Sequence, residues 1–160
     1  YMEIITRKTA TLFQAAAQTG AIISGAAKSE IEAIGDYALH LGIAFQLMDD
    51  NLDYFGHSDA LGKNVGDDFA EGKVTLPIIA AIRNGNSEQA SLIEGAVLKG
   101  GVENLDIVLK LVRETGGLDY TQKIAAKEKC KALSCLSTIP ESAFRDALED
   151  LAEFSILRTN

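Results

Sequence analysis

The sequence predicts an all-α protein, and three observations carry that expectation. Ala, Leu, Ile, Lys and Glu are common, while only two prolines interrupt 160 residues, a balance that favours helix. Apolar residues recur at intervals of three and four, with no strand-like alternation. Between those runs stand glycines and cap-forming Ser, Thr and Asn residues, the punctuation of helix ends. At this length the chain is one domain's worth, enough for a real core, so residues 1–160 are read as a single domain.

Residues from about Glu3 to Ile23 read as the first helix. Ala10, Ala15, Ala16 and Ala17 have high propensity, and Ile5, Leu12 and Ala16 make an apolar strip. Lys8 stands one turn from Leu12 and is expected near the buried side, where a lysine either snorkels or meets an anion. Tyr1 to Ile5 carries no cap and reads as the middle of an element, so the chain is expected to belong to something longer. Ser29 followed by Glu32 has capping-box spacing, and a long helix is expected from Glu30 to about Tyr54. Ile31, Ile34, Ala38, Leu41, Phe45, Met48 and Leu52 form its core stripe. Gly35 and Gly42 interrupt it at a cost of about 1 kcal/mol each against Ala, which suggests close approach of a neighbouring helix or ligand. His40, one turn from Asp36, reads as a structural or surface histidine rather than a ligand.

Phe55 to Gly72 is a loop by its glycine, Asn, Asp and Ser content, and long loops of this kind are usually functional or disordered. Thr75 can cap the next helix, with Pro77 in its first turn and Ile78, Ile79 and Ile82 as core residues. Asn84-Gly85 stops it. Asn86 with Gln89 starts a further helix, which ends at Gly100-Gly101. Val102 to Thr115 is amphipathic through Leu105, Val108, Leu109 and Val112, and Gly116-Gly117 terminates it. Tyr120, Ile124, Leu133 and Leu136 mark a helix reaching about Ser137. Pro140 opens a last one with Phe144, Leu148, Leu151 and Phe154.

The net charge of −8 argues against nucleic acid and against an anionic membrane surface. It does not exclude an anionic substrate, because metals and local lysines override the global sign. No apolar run is long enough to span a bilayer. Cys130 and Cys135 would point about 140° apart on a helix and should not pair. A reduced, cytosolic protein is expected.

The chemistry gathers where the long helix ends. Taking Gln46 as zero, Asp49, Asp50 and Asp53 fall at about −60°, +40° and −20° on a helical wheel, so the amide and three carboxylates share one face. Acids clustered at a helix C-terminus repel one another and the helix dipole. A divalent cation reverses that cost, and hard carboxylate oxygens suit Mg²⁺. Lys63 and Lys73 follow as point-charge partners for phosphate. Asp67 and Asp68 either extend the metal shell or balance these lysines. The plainer alternative is a solvated acidic helix end beside an ordinary surface loop. An EF-hand is excluded, since its sixth and twelfth places would hold Tyr54 and Ala60.

Phe45-Gln46 with Asp49-Asp50-Asn51-Leu52-Asp53, then Gly62-Lys63 and Gly72-Lys73-Val74-Thr75-Leu76-Pro77, resemble a trans-polyprenyl diphosphate synthase. Lys8-Thr9 stands where that family carries its K-T pair, and Gly62-Lys63-Asn64-Val65-Gly66-Asp67-Asp68 looks most like long-chain, octaprenyl or decaprenyl members. The resemblance implies the C-terminal half of an antiparallel helical bundle of the isoprenoid synthase type, usually a homodimer. It implies isopentenyl diphosphate and an allylic diphosphate as substrates and Mg²⁺ as cofactor. Asp49, Asp50 and Asp53 match the second aspartate-rich, metal-binding motif. Lys8, Thr9, Gln46, Lys63 and Lys73 match positions that grip diphosphate or stabilise developing charge. Asn51 departs from the usual apolar residue and is expected to point away from the metals. The first aspartate-rich motif would precede Tyr1, so this length alone is expected to be inactive. A non-catalytic partner subunit and a class I terpene cyclase are the competing readings. Gly72-Lys73-Val74-Thr75-Leu76-Pro77 and the K-T pair fit the cyclase poorly.

Overall fold

The first helical run does not keep a single pitch. In the computed structural model, which describes residues 1–55, 65–100 and 103–157, it begins as α1 (Met2–Ile5), widens into a π turn over Thr6–Ala10, and resumes as α2 (Thr11–Ile23). A π bulge inserts one residue into the helix, which sets every later side chain back by about 100°. Part of the expected apolar strip is overturned for that reason. Ile5 is buried, but Leu12 is 69% exposed and Ala16 also faces out. Phe13 and Ala17, one residue later, pack inward in their place. Lys8, which shares a face with Leu12, is exposed rather than near the buried side.

The long helix α3 (Lys28–Phe55) starts two residues before its expected position. Ser29 and Glu32 do not form its cap. Glu30 reaches back three residues and accepts the Ala27 N–H at 2.7 Å, half of a capping box made without a hydroxyl. Glu32 pairs instead with Lys28, at 3.7 Å. The remaining helices are α4 (Asp67–Ala70), α5 (Leu76–Asn84), α6 (Ser87–Lys99), α7 (Leu105–Glu114), α8 (Gly117–Cys135) and α9 (Ala143–Leu157), with a 3₁₀ turn at Leu136–Thr138. No strand occurs among the described residues.

The chain forms two compact units. The first comprises Tyr1–Met48 and Ile124–Arg158. Its core is Tyr37, Ala38, Leu41, Ala132, Leu136 and Ala152, with Phe13, Ala17, Ile34 and Leu148 against it. The Tyr37 hydroxyl donates to the Leu148 carbonyl at 2.6 Å. His40 is structural, as expected: its Nδ1 lies 2.7 Å from Glu128 Oε2, and Glu128 Oε1 accepts from Lys131. Both interhelical glycines mark close approaches. A Cβ at Gly35 would overlap the end of the Gln18 side chain, and one at Gly42 would lie 2.8 Å from Ala10 Cα. In α9 only Leu148 of the four expected apolar residues turns inward. Phe144, Leu151 and Phe154 are exposed on its flank, because Leu148, Ala152 and Ser155 take the packed face.

The second unit contains Asp49–Lys123. Its core is Tyr54, Phe69, Ile78, Ala81, Ile93, Ala96, Val108, Leu111, Val112 and Leu118. Thr75 occupies the N-cap position of α5, but its hydroxyl makes no cap bond; it donates to the Tyr54 hydroxyl at 3.3 Å. Ile78 is fully buried and Ile82 packs against the core, whereas Ile79 is 36% exposed. It sits about 100° round the helix from Ile78, and Ala81 fills the inward position. Asn86 and Gln89 form the expected capping box, with bonds of 2.9 and 3.0 Å. Gly100 and Gly116 follow α6 and α7 with positive φ, where a side chain would be strained.

Cys130 and Cys135 are free thiols. Among the described residues no helix is long and apolar enough to cross a membrane.

Two glycines of the second unit separate packing from propensity. A Cβ at Gly117 would overlap the Pro77 carbonyl and lie 3.1 Å from that of Val112, whereas one at Gly95 meets nothing within 4 Å. Gly117→Ala should therefore destabilise the chain by about 1–3 kcal/mol. Gly95→Ala, inside α6, should stabilise it by up to about 1 kcal/mol. Thermal unfolding followed by circular dichroism checks both, and shifts of the same sign would contradict the packing argument.

Candidate functional site

Two of the expected site residues meet although 37 positions separate them. The Thr9 hydroxyl donates to Gln46 Oε1 at 2.8 Å. Thr9 is carried by the π turn and Gln46 by α3. The contact fixes the orientation of the amide: with Oε1 turned to Thr9, the Nε2 donors face the other way. Lys8 precedes Thr9 on the same turn and is exposed.

The helix runs without a break to Phe55, so Asp49, Asp50 and Asp53 sit at the wheel positions their spacing predicts. Their surroundings differ. Asp50 is only 4% exposed, while Asp49 and Asp53 are half-buried. Asp53 is already engaged: Asp53 Oδ2 accepts the backbone N–H of Asp68 at 3.2 Å, and its carbonyl accepts the N–H of Gly66 at 2.8 Å. Gly66 has φ 83°, a left-handed conformation that turns the chain into the short helix α4. The Asp53 carboxyl thus serves the first turn of a helix that the sequence had left inside a loop. Its pKa is pushed up to about 6, chiefly by burial. The charges of Asp68 and Asp67 add to the rise, and their backbone N–H groups oppose it.

Asp68 balances a lysine, one of its two expected roles. Lys73 Nζ lies 2.9 Å from Asp68 Oδ1 and 2.7 Å from Glu71 Oε2. These hydrogen bonds, Glu71 first, hold the ammonium well above the usual lysine range. Residues 56–64 of the glycine-rich loop, Lys63 and His57 among them, lie outside the described residues. Among the described residues, no three acidic, histidine or cysteine side chains are grouped so as to hold an ion by themselves.

Three features had no reading in the sequence. One is the π turn under Lys8 and Thr9, which no residue in Thr6-Arg7-Lys8-Thr9-Ala10 announces. Another is the buried Tyr54, whose phenol burial holds above its usual range and whose hydroxyl accepts from Thr75. The third is Arg113, whose Nη2 donates to the Tyr54 carbonyl at 3.4 Å. For α4, Gly66 directly before two acids was a usable signal, since acids favour a helix's first turn.

Residues 1–114 match the family model described as polyprenyl synthetase. The chain belongs to the polyprenyl synthetase family. All the expected site residues, Lys8 to Lys73, fall within the matched span. Octaprenyl diphosphate synthase of Haemophilus influenzae is 47% identical over 99% of this chain and 48% of its own length. The Escherichia coli enzyme of that name is 43% identical over 99% and 49%. A polyprenyl synthase structure from Caulobacter crescentus, complexed with calcium and isoprenyl diphosphate, superposes with a TM-score of 0.94 at 42% identity. It is matched over 49% of its length and all of this chain. A decaprenyl diphosphate synthase structure from Rhodobacter capsulatus gives a TM-score of 0.89 at 37% identity, over all of this chain and 50% of its own. The chain thus spans about half the length of the polyprenyl synthetase relatives it matches, and its fold is the helical bundle of the isoprenoid synthases.

Asn51, the departure inside the acidic motif, is 5% exposed, and its Oδ1 has no hydrogen-bond partner among the described residues. An unsatisfied buried acceptor costs about 1–3 kcal/mol. Asn51→Leu should therefore raise the melting temperature by about 3 °C or more, and a fall on calorimetry would show that the amide is satisfied. The Asp53 shift has a definite sign. A carboxyl at about 6 in the fold against an ordinary 3.8 favours the folded state when protonated. That contribution is complete below the ordinary value and disappears as pH rises through about 6. In metal-free buffer, wild type should lose stability relative to Asp53→Asn between pH 4 and pH 7. Parallel melting curves for the two would contradict the shift.

Proposed function

We propose that this chain is part of a Mg²⁺-dependent trans-prenyltransferase. The reaction condenses isopentenyl diphosphate with an allylic diphosphate into a long all-trans polyprenyl diphosphate, a precursor of quinone side chains. The enzyme acts as a cytoplasmic homodimer. One observation carries the reading more than any other: Thr9 of the K-T pair holds the amide of Gln46, on the helix that carries the aspartates.

The donor set fits a hard divalent ion. Asp49, Asp50 and Asp53 offer oxygen alone, and Asp53 resists ionisation through burial first and the nearby Asp68 and Asp67 charges second, a cost that a cation relieves. Because no three such side chains are grouped among the described residues, one or two carboxylates would share the ion with diphosphate oxygens and water. That is the usual habit of Mg²⁺.

Each residue then has a role. The aspartates would hold the ion. Lys8, Lys63 and Lys73 would place positive charge against the diphosphate, with Lys73 drawn from its present acidic partners. Gln46 would aim its Nε2 donors at developing oxygen charge, and Thr9 keeps them turned that way. When bound, Mg²⁺ would neutralise the charge that builds on pyrophosphate as the C–O bond ionises. These groups stabilise that charge more after ionisation than before it, which is what accelerates the step. No side chain has to serve as a nucleophile.

In the full-length enzyme, Asp49→Ala should lower turnover by about 100-fold or more while leaving helicity unchanged. Chelation by EDTA should abolish turnover, and added Mg²⁺ should restore it. Near-normal activity of the Asp49→Ala protein would remove the metal assignment.

A further inference from the structure

We infer that Gly42 is a positioning residue for the transfer reaction, acting through the Thr9–Gln46 hydrogen bond. The inference rests on the prenyl-transfer reading above and names a determinant of the same site. Gly42 lies on α3 one helical turn before Gln46, and its surface meets the end of the π turn. A Cβ there would stand 2.8 Å from Ala10 Cα, 3.1 Å from Phe13 Cγ and 3.2 Å from Ala10 Cβ. The nearest of these is main chain in a hydrogen-bonded turn, and Ala10 is fully buried. It cannot swing aside as a side chain does. Ordinary carbon contacts lie at about 3.5–4.0 Å, so any side chain at position 42 would part the two backbones by about 0.7 Å or more.

Thr9 and Gln46 flank this contact on either helix. Their bond of 2.8 Å is close to the usual length for a hydroxyl donor, and a separation of that size stretches it to about 3.5 Å, outside the range of a good O–H···O bond. Lys8, on the same turn, would move with Thr9. The missing Cβ at position 42 therefore sets where the hydroxyl, the amide and the ammonium stand. Gly35 on the same helix provides the contrast. The three atoms nearest a Cβ there all belong to the Gln18 side chain, which can rotate away.

The test uses the full-length enzyme and measures kcat and KM for the allylic diphosphate, with helicity and melting temperature as folding controls. Gly42→Ala should lower kcat by about tenfold or more and change KM by less than about threefold. Gly35→Ala should keep wild-type kcat. Thr9→Val should lower kcat, and Gly42→Ala added to it should cost less than about a further twofold, because both remove one interaction. An equal loss from Gly42→Ala in both backgrounds, or wild-type kcat in folded Gly42→Ala, would overturn the inference and leave the prenyl-transfer reading standing. Wild-type turnover by Thr9→Val would remove Thr9 from the proposed site and overturn the inference, whereas absence of turnover by the wild-type enzyme would overturn the prenyl-transfer reading itself. Should Gly42→Ala fail to fold, Gly42→Ala with Ala10→Gly, which removes the 3.2 Å contact and loosens the turn, is judged by the same outcomes.

Discussion

The contact between the backbone of Ala10 and the bare surface of Gly42 governs how the first helical run lies against α3. Helices whose facing residues carry side chains keep their axes about 8–10 Å apart. Here a glycine lets a main-chain Cα take the place of a side chain. The π turn matters for the same reason. It places Ala10 at the contact and turns Phe13 and Ala17, rather than Leu12 and Ala16, toward the core. With those two features set, Thr9 and Gln46 are brought within hydrogen-bonding distance, and an amide that could otherwise rotate is held in one orientation.

The second unit concentrates negative charge beside its packed core. Asp53, Asp67 and Asp68 stand near one another at the end of α3 and the start of α4. Two kinds of group keep that concentration of charge tolerable: backbone N–H groups at the start of α4, and the Lys73 ammonium between Asp68 and Glu71. The arrangement remains poised, since the Asp53 carboxyl stays well above the ordinary carboxylate range. A group so placed gains from an arriving cation. It also shows that a residue matched to a metal motif serves the fold as well, because Asp53 is the acceptor for the turn into α4.

Local readings succeeded where the deciding partner lay within a few residues. The Asn86–Gln89 capping box, the Gly100 and Gly116 stops and the helical identity of every long segment follow from short-range hydrogen bonding and apolar spacing. They failed where a side chain had a distant alternative. Thr75 stands where a cap belongs, yet gives its proton to Tyr54, 21 residues away. The apolar residues of α9 show the same limit. Spacing marked Phe144, Leu151 and Phe154 as packing residues, but small Ala152 and Ser155 beside Leu148 form the packed face.

The sequence by itself determined the helical class, the family motifs and the common face of Gln46 and the three aspartates, because all of these depend on spacing along one chain. Tertiary structure decided the rest. It alone placed the π insertion, which decides which residues of the first helical run face the core. It alone set Asp50 apart from Asp49 and Asp53 by burial, and matched Thr9 to Gln46. Periodicity gives the direction in which a side chain leaves its helix; what it meets there depends on how closely the next backbone can approach.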